Sequence, residues 1–279
     1  MDHLLQVAQQ WSVVAFLVGS MVAIGLNLTP RAILAPLRDM RLVLRALALN
    51  FLLAPAFAWL LITVIPLDRG YAIGLMLLGG AAGAPFLPKL VETAHADQPL
   101  AVALMVLLTI GTILFIPFAL PLMIPGMQAD AWSIARPLLL LIVLPLVAGM
   151  VIKRGAGSLA KRAAPIAAGF GNISLALLFV LLLMRNVSAL LGVVGNGAIL
   201  AALIHILGLF AAGWLLGGPP PSARGVFALA AAARNFGAAL APAAGSFKDP
   251  KIILMIIVSA IVCLVVTFCA AAWVRRRIT

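Results

Sequence analysis

The sequence predicts an all-α polytopic membrane protein of nine transmembrane helices, on three observations: composition, the length of the apolar runs, and where the basic residues fall. Of 279 residues, 65% are apolar and 9% charged, with a mean hydropathy of +1.23; soluble domains hold about 25% charged residues. A soluble interior is too small for so many apolar side chains, whereas a hydrocarbon layer ~30 Å thick accepts them on the outside of each helix. Helices also pair their backbone groups internally, as lipid demands.

Apolar runs long enough to cross fall at residues 4–28, 42–65, 70–94, 100–124, 134–152, 163–184, 193–216, 225–246 and 252–274. They consume most of the chain and leave no room for a soluble domain. The first follows MDHLLQVAQQW, which has neither a basic lead nor a small-residue cleavage site, so it reads as a retained helix rather than a removed signal. The third contains GLMLLGGAAGAPFLPKLVETAHA, where Gly79, Gly80 and Gly83 precede Pro85 and Pro88. Proline removes a donor and crowds the preceding turn, so a broken helix is expected there. The eighth, GVFALAAAARNFGAALAPAAG, breaks at Arg234-Asn235-Phe236-Gly237. Cys263 and Cys269, inside the ninth, lack metal-type spacing and read as packing residues.

Asn50 and Trp59-Leu60-Leu61 of the second run recur as His205 and Trp214-Leu215-Leu216 of the seventh, and Gly70 recurs as Gly225, each 155 residues on. The chain thus divides into repeats of about 1–124 and 134–274. Because the second and seventh runs cross in opposite directions, the repeat is inverted, the arrangement of secondary transporters. Interrupted helices at matching places in two inverted halves point to a transport site near the midplane. The plainer alternative is that Gly and Pro merely permit kinks and close packing.

The balance of 19 Lys+Arg against 7 Asp+Glu, a net +12, would point to nucleic acid in a soluble protein. Sorted by position it reports orientation instead. With the N-terminus outside, the inner flanks carry Arg31, Arg38, Arg41, Arg45, Lys153, Arg154, Lys161, Arg162, Arg224, Arg275, Arg276 and Arg277. The outer ones carry Arg69, Arg136, Arg185, Lys248 and Lys251. The expected placement is a bacterial-type inner (plasma) membrane with the N-terminus outside and the C-terminus cytoplasmic, and no nucleic-acid partner.

Two basic residues remain inside spans. Arg234 lies nine residues after Gly225, about 14 Å deep at 1.5 Å per residue. An arginine at that depth faces a cavity, or else bonds carbonyls freed by the crossing helix. Lys89 either joins the same site, or snorkels to the interface or pairs with Glu92. Asn235 and Asn50 read a substrate or bond a neighbouring helix. His205 is a titratable group or a neutral interhelical bond.

Four stretches in order, IGLNLTP (24–30), NFLLAPAFAWLL (50–61), GGAAGAPFLPKL (79–90) and RNFGAAL (234–240), resemble the bile acid:sodium symporter family, within the wider group of arsenite and auxin-type carriers. The resemblance spans the whole chain and is closest to nine-helix bacterial members. It implies a core domain, about 70–124 and 225–274, in which two unwound helices cross, and a panel domain from the remaining spans. It also implies an organic anion bound between the domains and two sodium ions behind the crossing. The implied sodium ligands are lost at Leu87, Pro88, Ala101, Met105 and about Ala230, while the family's Gln-Asn pair becomes Arg234-Asn235 and a Gln becomes Asn50. Alanine, leucine, proline and methionine side chains offer a sodium ion no oxygen.

The expectation is therefore an organic-anion carrier for a small carboxylate or bile-acid-like molecule, without sodium or other cofactor. Lys89 and Arg234 replace the sodium charge, and a uniporter or a proton-linked carrier would result. Sodium-coupled symport is the alternative. Substrate-facing candidates are Arg234, Asn235, Lys89, Pro85, Asn50 and His205; Gly83, Pro85, Pro88 and Gly237 are the helix-breaking residues. An enzyme is disfavoured, since no Ser–His, Cys–His or metal pattern stands in the spans. A channel or a non-transporting sensor are lesser alternatives.

Overall fold

A computed structural model describes residues 2–27, 39–123, 132, 136, 138–193, 195–247 and 249–278, and among these all regular structure is helical. In order, α1 is Asp2–Asn27, α2 Met40–Val64, α3 Arg69–Gly80, α4 Leu87–Thr93 and α5 Gln98–Met123. Then come α6, Leu144–Gly155, α7, Gly157–Val193, α8, Ala198–Leu216, α9, Pro221–Ala232, α10, Phe236–Ser246, and α11, Pro250–Ile278. Six stretches among the described residues are long and apolar enough to cross a membrane: Val7–Asn27, Met40–Val64, Gln98–Met123, Ala198–Leu216, Pro221–Ala244 and Pro250–Ile278. The protein is a multi-pass membrane protein. The end of the first expected run with Arg31 and Arg38, the start of the fifth, Lys248 and the Arg185 side chain lie outside what is described.

Three boundaries move. α7, the expected run 163–184, starts already at Gly157 and continues to Val193, because Arg185-Asn186-Val187 contains no breaker. The turn falls instead at Gly195 and Gly197, with φ +98 and +76, so α8 starts at Ala198. A departure that periodicity does not show is a π turn at Leu49–Leu53 within α2, matched by another at Leu139–Val143 before α6. Each stands directly before an X-Pro pair, Ala54-Pro55 or Leu144-Pro145. Proline has no N–H for the carbonyl four residues back, and the ladder slips to i−5 bonding, Ala54 N–H to Leu49 O and Leu144 N–H to Leu139 O.

Packing separates two groups. α1 packs chiefly on α7 and α6, where Gly25 and Gly149 allow the α1 and α6 backbones to touch. The stretch 225–243 of α9–α10 is buried, enclosed by α3, α4, α5, α8 and α11, with α2 against α3. A side chain on Gly70 would strike Asp249 and Lys251 at the start of α11, and one on Gly225 would strike Val274 near its end. These two glycines, 155 residues apart, thus set the early turns of α3 and α9 against opposite ends of α11. Cys263 is buried with its thiol toward the Ala232 carbonyl; Cys269 is exposed on the outer face of α11, so only the first is a packing residue in the core.

Candidate functional site

The sequence breaks α3 from α4 over 81–86 and α9 from α10 over 233–235, and the two breaks meet. Asn235 N–H donates to Ala81 O at 2.9 Å, and Asn235 Nδ2 to Gly83 O at 3.1 Å. Freed backbone groups in a membrane interior need partners, and the first break finds them on α5. Thr112 Oγ1 accepts from Ala82 N–H at 2.8 Å and donates to Ala82 O at 3.0 Å, while Thr109 Oγ1 reaches Gly83 O at 3.0 Å. Gly83, at φ +78, lies so close to Thr109 that a Cβ there would collide with its backbone. Asn235 Oδ1 then caps α10 by accepting Ala238 N–H at 3.0 Å.

Arg234 fills the centre of the crossing and is 1% exposed. Its Nε donates to Leu78 O at 2.9 Å, Nη1 to Asn50 Oδ1 at 3.0 Å and Ala231 O at 3.1 Å, and Nη2 to Gly79 O at 2.8 Å. Leu78 and Gly79 end α3 and Ala231 ends α9, so the guanidinium closes two helix C-termini, where partial negative charge gathers and a cation is favoured. Among the described residues no carboxylate pairs with it; the ion pairs Lys89–Glu92 and Lys251–Asp68 lie elsewhere. The site therefore holds a buried positive charge that faces two helix C-termini and has no carboxylate partner among the described residues.

The structure gathers Arg234, Asn235 and Asn50 but leaves other expected residues apart. Lys89 is exposed, with its ammonium 2.8 Å from Glu92, so it neither joins Arg234 nor is desolvated, as proton-linked work on Lys89 would require. A proline at the start of α4 needs no N–H partner, so Pro88 opens that helix instead of breaking it. Gly237 likewise lies inside α10, where its lack of a side chain admits Leu17 of α1. His205 is buried one shell away, 3.2 Å from Ala54 O and stacked on Phe57.

In front of the crossing a cavity of about 190 Å³ opens between α1, α7 and the two breaks. Phe16 and Ser20 of α1, Asn172 of α7, Pro85 and Phe86 of the first break, and Phe236 at the start of α10 line it. The Phe86 and Phe236 rings are parallel, 6.2 Å between centres. Of the expected substrate-facing residues only Pro85 reaches this wall. Ser20, Asn172, Phe86 and Phe236 were not anticipated; single polar residues within the apolar α1 and α7 were the available signal.

Sodium is tested by the oxygens present. The carbonyls of Leu78, Gly79 and Ala231 and the Asn50 oxygen already receive guanidinium N–H groups, and the buried side chains of Leu87, Ala101, Met105 and Ala230 offer a sodium ion no oxygen.

Two interrupted helices crossing inside a multi-pass helical bundle define the membrane-carrier class. Residues 14–193 match the family model described as the Sodium Bile acid symporter family, and the chain belongs to that family, whose members are transporters. The match takes in α1 and the first break and ends before Arg234. No curated protein matches the chain.

Proposed function

We propose that this protein is a secondary carrier of a small organic anion, working by alternating access, in which the Arg234 guanidinium stands permanently where relatives in the family place sodium. The observation that carries the reading is the set of four oxygens, from Leu78, Gly79, Ala231 and Asn50, gathered on one buried guanidinium. A tethered cation supplies the charge that closes the two helix ends, and the coupling ion becomes unnecessary.

The cavity beside Phe86 and Phe236 is the substrate site in this reading. Arg234 does not touch the cargo, since it is buried and four of its five N–H groups are used at the crossing. The N-terminus of α10, with the Arg234 charge two residues before Phe236, makes the cavity electropositive. Ser20 and Asn172 supply hydrogen bonds from the opposite wall. We assign α1, α6 and α7 to the panel and α2–α5 with α8–α11 to the core, in nine crossings related as inverted repeats; α2 and α8 leave the panel expected from the sequence because α2 packs on α3 and α8 on α9 and α11. The opposed starts of α3 and α9 on α11 support that assignment. The arginine-bearing C-terminal end is assigned to the cytoplasm.

Uptake of a radiolabelled carboxylate panel into proteoliposomes tests this. Saturable uptake of an anion, unchanged when K⁺ replaces Na⁺, is expected; a steep sodium requirement would return the protein to conventional symport.

A further inference from the structure

At the end of the bundle that carries the C-terminus, Arg45 of α2 and Arg224 of α9 converge on the α8–α9 loop. Arg224 Nε donates to Gly218 O at 2.7 Å, and Arg45 Nη1 stands 3.2 Å from where a Gly218 side chain would begin. Two guanidinium groups thus flank one residue. Beside this loop Trp214 and Trp273 meet edge to face at 4.9 Å, and the Arg277 guanidinium lies 5.2 Å from the centre of the Trp273 ring.

No described carboxylate answers these charges. Asp39 caps α2, Asp68 holds Lys251, Glu92 holds Lys89, Asp97 takes the Leu100 N–H and Asp249 the Lys251 N–H. Orientation requires basic residues on the flanks, but not two of them on one glycine from helices so distant in sequence. Like charges brought together raise each other's energy until an anion sits among them. Basic pockets between helix ends at the membrane surface suit lipid phosphates. Leu44, Leu215 and Leu216, exposed on the same helix ends, offer an apolar surface that an acyl chain covers and a free phosphate ion leaves bare.

We propose that this loop binds the phosphate headgroup of an anionic phospholipid, held between Arg45 and Arg224 with Trp273 and Arg277 at its rim. The test uses the whole protein in mild detergent, with lipid retention read by native mass spectrometry and the thermal midpoint read alongside. Phosphatidylglycerol should be retained and raise the midpoint, whereas phosphatidylcholine should do neither. Each Arg→Gln change at Arg45 or Arg224 should weaken retention about fivefold; Lys161→Gln, at the exposed start of α7, should not. If Arg224→Gln fails to fold, the exposed Arg45→Gln alone must still show its loss. Equal retention of phosphatidylcholine, undiminished phosphatidylglycerol on Arg45→Gln, or a midpoint rise from inorganic phosphate alone would overturn the proposal.

Discussion

Arg234 Nη2 donates to the carbonyl of Gly79 at 2.8 Å, and the two residues stand 155 apart, the offset that also relates Asn50 to His205 and Gly70 to Gly225. Two positions separated by that offset therefore touch at the crossing, one bearing a long side chain and the other none. Since the chain belongs to a transporter family, a fixed charge at that point bears on the coupling of transport.

The fork of the guanidinium matters as well as its charge. Lysine offers a point charge on a flexible stem and cannot reach four oxygens on three segments in one plane. Arg234→Lys should lower the thermal midpoint and reduce uptake. Arg234→Ala should lower the midpoint further, because it strands carbonyls whose loss of a charged donor costs about 1.5–3 kcal/mol each.

Thr112 satisfies both backbone groups of Ala82. Thr112→Val keeps the shape and removes the hydroxyl, leaving a buried N–H and C=O unpaired at a cost of about 1–3 kcal/mol. A denaturation midpoint clearly below that of the unaltered protein is expected; an unchanged midpoint would mean that α5 does not hold the break.

Lys89 and Glu92 form an exposed i,i+3 pair. Such pairs contribute little. Lys89→Ala should leave uptake and its pH profile unchanged and shift stability by less than about 0.5 kcal/mol. Loss of uptake would restore Lys89 to the transport site.

Asn172 faces the cavity from α7 without belonging to the crossing. Asn172→Ala should raise KM for the transported anion by about two- to tenfold, the worth of one hydrogen bond, with the thermal midpoint retained. A change confined to the maximal rate would place Asn172 in the conformational step instead.

The helical class, the two breaks and the singular place of Arg234 at the second of them were legible because composition, proline chemistry and the cost of a buried charge act locally along the chain. The division of labour between Lys89 and Arg234 was not. Both are cations inside apolar runs, and only the fold shows that one turns to Glu92 while the other meets three backbone carbonyls and Asn50. The π turn that includes Asn50 was hidden for a similar reason: Pro55 announces a disturbed ladder but not whether it kinks or slips to i−5 bonding. Ser20 and Asn172 belong to a wall formed by helices far apart in sequence, so nothing local marks them as facing Phe86 and Phe236.

The most direct test of the account is the sodium dependence of uptake in Arg234→Gln proteoliposomes beside the unaltered protein. Glutamine shortens the side chain and removes the charge, which frees the carbonyls of Leu78, Gly79 and Ala231 and the oxygen of Asn50 for a cation. The account predicts sodium-indifferent uptake in the unaltered protein and residual uptake stimulated by Na⁺ over K⁺ in the variant. Sodium-driven uptake in the unaltered protein, abolished alike in both salts by the substitution, would contradict it.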